Sequence, residues 1–252
     1  MNYDVNKISI IAIDRSLAKK VCQERHYMKT FPAGANLFFG IKHEGISALL
    51  GVAVFGKSST TDKKLNLFPG NLKSENIIEM QRLWLSDLLG KNAESKTLSL
   101  IISKIKINYH QIKILWTYAG GCKNDCGIVY QSSGFMYLKS EPCDDFYLTR
   151  GGEYKNIISA LKFGKAPKAL KSKEDIAKYL YGPGEFIKSF RHYYFYPLDK
   201  GIRRKMQNKV LPFPKFSAIY RKDQKWISGD GQGDGSNILG STPSISTIAH
   251  KA

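Results

Sequence analysis

Side chains that can transfer protons collect where two predicted strands end. Glu79 lies in one strand and Tyr118 ends the next, and Asp125 and Tyr130 follow in a short predicted helix. Open α/β sheets usually place their ligand sites at such strand ends. A carboxylate can accept a proton and a phenol can donate one. We therefore expect Asp125 or Glu79 to act as the proton acceptor and Tyr118 or Tyr130 as the acid.

A second candidate site lies at the start of the helix predicted over residues 92–108. Lys91 precedes the helix, Asn92 is its predicted cap, and Glu94 and Ser95 fall in its first turn. A helix N-terminus beside a lysine is suited to binding an anion, so we assign Lys91, Asn92 and Ser95 to a cofactor. An ordinary capped helix explains the same residues and stays open as an alternative.

Arg82 and the pair His26–Tyr27 complete the set of candidates. An arginine where strands separate would suit an anionic donor, and we assign Arg82 to the cofactor, with a simple ion pair to Glu79 or Glu94 as the alternative. His26 and Tyr27 end a predicted helix, where proton transfer and a capping or packing role are both open.

Charge is distributed unevenly along the 252 residues, whose net charge is +18. Residues 150–226 carry 19 Lys and Arg against 6 Asp and Glu. Such an excess attracts phosphate backbones, although a solvated lysine-rich surface is the alternative. Aromatic residues between the cations suit base stacking as well as a core. The candidate phosphate contacts are Arg191, Arg203, Arg204, Lys205 and Lys209.

The elements that must position these residues follow from hydrophobic periodicity and turn signals. They are a strand at 7–13, a helix at 15–26, a hairpin at 35–42 and 48–55, a loop at 58–64, a strand at 77–85, a helix at 92–108, a strand at 112–118, a short helix at 125–133, a strand beginning at 135–138, a helix at 174–181, a strand at 190–198 and a basic helix at 199–207. This order predicts an α+β fold: a mixed, largely antiparallel sheet with splayed central parallel strands, flanked by helices. It resembles the GNAT acetyltransferase fold.

Length fits one large domain or one domain with a smaller appendage. With the resemblance to the GNAT fold, we expect a single GNAT-like catalytic domain over residues 1–226, with a basic aromatic part at about 141–226 and a disordered Gly/Ser-rich tail at 227–252. Apolar runs are too short to span a membrane, so we expect a cytoplasmic protein. Four cysteines indicate reduced thiols. Cys122 and Cys126, spaced CxxxC without a nearby histidine, fit structural zinc poorly, and we expect no metal there.

Several strings taken together are similar to a known family. HYMKTFPAGANLFFGI, RLWLSDLLGKNAES, WTYAGG followed by GIVYQSSGF, and YPLDKGIRRK followed by LPFPK occur in family order over residues 20–215. They resemble the Mom family of phage DNA-modification proteins. The resemblance implies a GNAT-fold enzyme that appends a carbamoylmethyl-type group to the exocyclic amine of adenine in double-stranded DNA and so protects phage DNA from host restriction.

The resemblance also assigns residues. Its motifs fall on His26, Tyr27, Arg82, Leu83, Asn92, Glu94, Ser95, Tyr118, Gly127, Tyr130 and Gln131. Gly120 and Asp125 stand where the family pattern has an aspartate and a histidine, so we do not expect the iron suggested for the family to be bound here. The Arg/Gln-x-x-Gly-x-Gly loop of ordinary CoA-binding relatives is also missing. The acyl donor is therefore unknown, with acetyl-CoA and an aminoacyl-type donor both open.

Two other function classes fit parts of the sequence. A CoA-dependent N-acetyltransferase acting on protein or RNA amines would share the fold. A non-catalytic nucleic-acid-binding protein would explain the basic excess, but it would not explain the polar strand ends.

Overall fold

The computed structural model describes residues 3–27, 29–57, 64–120, 125–162, 167, 169–214, 219–221 and 226–227. Its strands are β1 (Ile8–Ala12), β2 (Ala35–His43), β3 (Gly51–Gly56), β4 (Ile77–Leu85), β5 (Ile114–Gly120), β6 (Met136–Thr149), β7 (Tyr154–Asn156), β8 (Gly184–Pro197), β9 (Ile219–Arg221) and β10 (Trp226–Ile227). Its α-helices are α1 (Arg15–Arg25), α2 (Ala93–Asn108), α3 (Ile128–Ser132), α4 (Ile157–Lys162), α5 (Lys173–Tyr181) and α6 (Lys200–Met206). Short 3-10 helices cover Val5–Lys7, Ser74–Asn76, Asp87–Leu89 and Gln207–Lys209.

The strands form a mixed sheet in the order β1-β2-β3-β4-β5-β8-β6-β7, with β9 paired to β8 and β10 to β9. The pairs β1–β2, β2–β3 and β3–β4 are antiparallel, whereas β4–β5 is parallel. The predicted α+β class with a largely antiparallel sheet and a central parallel pair is confirmed. In the described residues, no helix has the length and apolar character needed to cross a membrane.

The chain divides into two compact units. The first comprises residues 1–119, 127–140 and 192–213, and the second comprises 120–126, 141–191 and 214–252. The long strands β6 and β8 contribute residues to both units. The single domain predicted over 1–226 remains a prediction, and the predicted tail lies outside the described residues except for Ile227.

In the first unit, apolar side chains pack on both faces of the sheet. On one face, α2 buries Leu98, Ile101 and Ile105 in a core shared with Phe39 and Met80. We call this the α2 face. The opposite face carries two further clusters. One cluster joins α1 to Val52, Val54 and Trp84, and the other joins α6 to Ile77, Trp116 and Phe195. We call this the α1/α6 face.

In the second unit, Tyr147 packs with α4 and α5.

Element boundaries differ from the predictions mainly after residue 120. The predicted helix 125–133 is shorter, because α3 begins only at Ile128 after Gly127 in a left-handed conformation. The strand predicted at 190–198 starts six residues earlier, at Gly184. Strand β6 continues to Thr149, where the sequence pattern was indistinct.

Candidate active site at the splayed strands

The central parallel strands separate part-way along their length. Their pairing consists of Ile77↔Ile114, Ile78↔Leu115 and Glu79↔Trp116. Within the described chain the pairing stops there, although β4 continues to Leu85 and β5 to Gly120. Paired strands lie about 4.8 Å apart. The loss of pairing therefore opens a gap between the two strands, and we call this gap the splay.

A β-bulge in β4 decides which way its side chains point beyond the splay. Met80 is opposite Phe55 and Arg82 is opposite Val54, so Gln81 is the extra residue. An inserted residue moves the following side chains to the other face. Met80 packs in the α2-face core, and after the bulge Leu83 does so too. Arg82 therefore lies on the α1/α6 face.

Arg82 contacts the segment that follows α1. Its Nη2 donates to Thr30 Oγ1 at 2.9 Å and its Nη1 donates to its neighbour's carbonyl oxygen, that of Gln81, at 2.6 Å. Its charge favours the thiolate of Cys22 on α1, although burial is the larger effect and raises the pKa of that thiol. Among the described residues, neither Glu79 nor Glu94 forms an ion pair with Arg82, so the alternative ion pair is wrong.

His26 and Tyr27 lie at the end of α1, next to the segment that Arg82 contacts. Their rings stack with centroids 4.5 Å apart. His26 is buried and Tyr27 is 62% exposed. The histidine also supplies the backbone N–H that closes the helix on the Cys22 carbonyl. The packing and capping alternative for His26 is therefore observed, and a role in proton transfer stays a prediction.

The start of α2 differs from the predicted cap. Asn92 occupies the N-cap position in a left-handed conformation, with φ of 68°, and its side chain makes no capping hydrogen bond. The prediction of a capping side chain is therefore wrong. Ser95 in the first turn shares a hydrogen bond of 2.8 Å with Ser132 of α3. Lys91 and Asn92 are exposed. The first-turn amides of this 16-residue helix thus receive no capping bond from Asn92.

Tyr130 belongs to an aromatic cluster on the α2 face. Its ring centroid lies 5.5 Å from those of Phe135 and Tyr194. Gln131 Nε2 donates to Tyr194 Oη at 3.0 Å. Gly127 permits this packing, because a Cβ atom there would lie 2.6 Å from the Tyr194 ring and its φ is 77°. The start of α3 is thereby held against β8.

On the α1/α6 face, a buried ion pair lies next to the splay. Lys64 Nζ binds Glu79 Oε2, and both side chains are less than a tenth exposed. The Lys64 ammonium also lies 4.9 Å from the Trp116 ring centroid, which is a cation–π contact. Lys64 falls at the end of the predicted loop 58–64, and no local spacing connects it to a residue 15 positions away, so this pair was not predicted.

Beyond this pair, β5 exposes an aromatic surface on the same face. Tyr118 is 43% exposed, and its ring centroid lies 6.5 Å from that of Tyr193. Tyr193 also packs against Trp116 at 5.6 Å, and Lys139 Nζ lies 5.4 Å from its centroid. We call Tyr118, Tyr193 and Lys139 the aromatic shelf. Side chains alternate along β5, so Tyr118 projects on the same face as Trp116, about 7 Å further along.

Gly120 and Asp125 belong to the second unit. Gly120 has φ of 107°, and a Cβ atom there would lie 2.1 Å from the carbonyl oxygen of Phe190. An aspartate at this position would require the backbone to move, so the departure from the family pattern is built into the fold. Asp125 is exposed. It raises the pKa of the neighbouring Cys126, for which burial is the larger cause.

In the described part of the chain, side chains that could bind a metal do not cluster. Within the described ranges, no three His, Cys, Asp or Glu residues come together, and Cys122 lies outside those ranges. The described residues therefore offer no three-ligand set for the iron that the resemblance suggested.

The candidate phosphate contacts fall in both compact units. Arg191 binds Asp145 at 2.6 Å in the second unit. Arg203 lies in the first unit with its guanidinium 4.7 Å from the Tyr196 ring. Arg204, Lys205 and Lys209 are exposed on α6 and the 3-10 turn after it. In the aromatic run between these cations, Tyr194 and Phe195 are fully buried, so the core alternative holds for those two.

Comparison with known proteins identifies the family. The model of the Mom protein family matches residues 7–215. This chain belongs to the Mom protein family. The methylcarbamoylase mom of Escherichia phage Mu is 26% identical to it over 223 residues, which cover 85% of this chain and 87% of that protein.

Solved acetyltransferase structures also match parts of this Mom-family chain. An IAA acetyltransferase from Bacillus cereus has a TM-score of 0.42 at 14% identity, covering 75% of this chain and 99% of that chain. A spermidine N-acetyltransferase from Vibrio cholerae, in complex with CoA and spermine, has a TM-score of 0.41 at 7% identity and covers 77% and 96%.

The residues assigned by the Mom-family motifs divide between the two faces of the sheet. Arg82 and Leu83 are adjacent in β4 and point to opposite faces by the normal alternation of a strand, and the bulge at Gln81 decides which face each of them takes. Ser95, Tyr130 and Gln131 lie on the α2 face. Tyr118 lies on the α1/α6 face, near Glu79 and Lys64, neither of which the family motifs assign.

Proposed function

We propose that this protein is a transferase that appends an acyl-derived, carbamoylmethyl-type group to the exocyclic amine of adenine in double-stranded DNA. It would act in the cytoplasm of an infected or lysogenic bacterial host and protect phage DNA from restriction. The observation that carries the proposal is the splay itself. In a Mom-family chain, the gap has an uncapped helix start on one face and an exposed aromatic shelf beside a buried carboxylate on the other.

The donor occupies the α2 face in this proposal. The start of α2 offers amides that Asn92 leaves uncapped, together with Lys91, and these suit phosphate or carboxylate groups. Ser95 and Ser132 link this helix start to α3, which carries Tyr130. The donor's leaving group would then depart near the Tyr130 hydroxyl. Both acetyl-CoA and an aminoacyl-type donor carry the anionic or carbonyl groups that such a site accepts.

Adenine occupies the α1/α6 face. The base must leave the duplex, which costs a few kcal/mol and is offset by contacts in a pocket. Stacking of a base on an aromatic side chain contributes about 1–3 kcal/mol. Tyr118 offers an exposed ring at the splay, Tyr193 supports it from the side, and Lys139 supplies a cation for the adjacent phosphate.

Proton transfer follows this division of the site. The exocyclic amine of adenine is a weak nucleophile, so its attack needs a proton acceptor. Glu79 binds Lys64 through Oε2, and its other oxygen keeps the capacity to accept a proton through water. The bond from the amine nitrogen to the donor's carbonyl carbon forms as the bond from that carbon to the leaving group breaks. An aminoacyl-type donor with one methylene then gives an acyl group that is an isomer of the carbamoylmethyl group, whereas acetyl-CoA gives an acetyl group. Glu79 takes the amine proton and Tyr130 supplies a proton to the leaving group. Asp125 remains the alternative acceptor.

Mass spectrometry of nucleosides tests the proposal. DNA from cells that express the protein should contain modified deoxyadenosine. Tyr130→Phe should lower the modification rate by about 10²- to 10⁴-fold, the contribution of a general acid. Tyr118→Leu should lower it about 5- to 150-fold through lost stacking, whereas Tyr118→Phe should stay near wild type. Each variant is compared at equal amounts of folded protein.

The outcomes separate the alternatives. Unmodified DNA together with CoA thiol released in the presence of an amine substrate would indicate an N-acetyltransferase for protein or RNA amines instead. DNA that is bound but never modified, by wild type and variants alike, would indicate a binding protein. Full modification by Tyr130→Phe and Glu79→Gln would remove those two residues from the mechanism.

A further inference from the structure

A cleft of about 400 Å³ lies in the first unit, at the end of the sheet away from the splay. Lys106 and His110 line it from the end of α2, Lys113 from the residue before β5, and Lys200 from the start of α6. The Leu198 amide donates to the Lys113 carbonyl at 2.8 Å and ties the two segments together. Three lysines and one histidine therefore make up half of the eight residues that line the cleft, and Asp199 supplies one carboxylate.

Two of the cations at this end share one aromatic ring. The Lys106 ammonium lies 5.4 Å from the Tyr196 centroid, and the Arg203 guanidinium lies 4.7 Å from it. The carboxylate in the lining, Asp199, accepts the backbone N–H of Ile202 at 2.9 Å. A ring in contact with two cations favours the observed positions of both side chains without neutralising either.

The positive charge at the cleft is not balanced by ion pairs. In the described part of the chain, none of Lys106, Lys113 and Lys200 lies within ion-pair distance of a carboxylate, and neither does Arg203. Three lysines line the cleft, and Arg203 adds a further positive charge at the Tyr196 ring that Lys106 also contacts. Such an arrangement attracts a polyanion.

The position of the cleft distinguishes between polyanions. Lys113 precedes Tyr118 by five residues, so an extended strand places the cleft about 17 Å from the aromatic shelf. At 3.4 Å per base pair, this is about five base pairs of duplex. The cleft also lies about 24 Å, the length of α2, from the helix start assigned to the donor. One donor molecule bound at the splay would not place its phosphates in this cleft.

We propose that this cleft binds the phosphate backbone of duplex DNA about five base pairs from the target adenine. The inference rests on the proposed function, because it takes the aromatic shelf as the place of the adenine. It predicts a second anchor that matters only when the duplex is long enough to reach it.

Fluorescence anisotropy with labelled duplexes tests this anchor. The variant Lys106→Gln/Lys113→Gln is compared with Lys19→Gln/Lys20→Gln, which removes the same charge from exposed positions on α1. We call Lys106→Gln/Lys113→Gln the cleft variant. For a duplex with about ten base pairs on each side of the adenine, the slope of log K against log[salt] should be shallower for the cleft variant by about 1.8, because two phosphate contacts are lost. The ratio of wild-type affinity to variant affinity should therefore fall about 12-fold as the salt concentration rises from 50 to 200 mM.

A hairpin stem with about three base pairs on each side should bind the cleft variant and wild type with equal salt slopes. An equal loss with the short stem, an equal loss in the α1 control, or weakened binding of folded RNA but not of DNA would each overturn the proposal. Nucleoside analysis separates this result from the proposed function. If wild type leaves adenine unmodified but the long-duplex slope still differs, the cleft stands and the adenine chemistry fails.

Discussion

The two faces of the sheet at the splay are built from different chemistry. On the α2 face, Tyr130 and Tyr194 pack with neutral hydrogen bonds such as that from Gln131. On the α1/α6 face, the full charges of Lys64 and Glu79 are buried beside Trp116. A neutral, tightly packed wall suits the placement of a donor and its leaving group. A buried carboxylate beside an exposed ring suits deprotonation of a base.

The bulge at Gln81 makes this separation possible. Without the extra residue, Arg82 would share the α2 face with Met80 and lie on the side of the helix start. With it, Arg82 binds Thr30 and fastens the segment after α1 on the opposite face. Arg82 is therefore held by hydrogen bonds on the α1/α6 face, and Lys91 is the lysine nearest in sequence to the start of α2.

The largest loss of stability should come from removing one partner of the buried ion pair. Lys64→Met leaves the Glu79 carboxylate buried without that cation, which should lower the free energy of unfolding by about 3–5 kcal/mol. Replacing both residues, as Lys64→Met/Glu79→Leu, should recover most of that loss, because apolar side chains of similar volume often replace such pairs at no cost. Denaturant titration measures both variants.

The α2 face supplies the matched control for this prediction. Gln131→Met removes the neutral hydrogen bond to Tyr194 and should cost only about 0.5–1.5 kcal/mol. A loss in Lys64→Met no larger than that of Gln131→Met would mean that the charges on the two faces do not differ in the way proposed.

A smaller effect is expected from tightening the α2 face. Gly127→Ala should cost about 1–3 kcal/mol beyond the strain of a positive φ, because its Cβ would meet the Tyr194 ring at 2.6 Å. Gly134→Ala provides the comparison, since Gly134 has a similar φ of 75° but its nearest contact is 3.7 Å away. Thermal or denaturant unfolding gives both values. Equal losses of unfolding free energy at the two positions would show that the packing around Tyr194 accommodates an added methyl group.

Much of this arrangement could be predicted from local sequence, and the exceptions have physical causes. The strand 77–85 was predicted with the observed bounds, and the helix 92–108 differs from α2 by its first residue. Both depend on periodicity within one segment. The bulge at Gln81 depends on the partner strand, and a register shift of one residue reverses the facing of Arg82.

Contacts between distant segments were likewise inaccessible to local reasoning. The pairing of Lys64 with Glu79 and the clash that requires glycine at position 120 each involve a second segment of chain. Family motifs identified Tyr118 and Tyr130 together, but only the alternation of β5 and the packing of α3 place them on different faces.

The smallest effect concerns the placement of Arg82 and is read from stability at alkaline pH. Burial raises the pKa of the Cys22 thiol above its ordinary value of 9.0, and the charge of Arg82 partly opposes this shift. A folded-state pKa above the unfolded value means that the unfolded chain loses its proton first. The stability linked to this thiol is therefore complete below about pH 9 and declines as pH rises further.

Arg82→Gln removes the opposing charge, so the pKa of Cys22 should rise further and the decline should continue to higher pH than in wild type. A single site contributes at most about 1.4 kcal/mol per pH unit, which makes this a measurement of slopes from denaturant titrations between pH 8 and pH 11. Lys91→Gln, a charge change at the start of α2, should parallel wild type. In a Cys22→Ala background, Arg82→Gln should lose its effect on the slope. If Lys91→Gln changes this slope and Arg82→Gln does not, Arg82 does not act on Cys22 on the α1/α6 face. The proposed separation of the donor side from the base side would then be wrong.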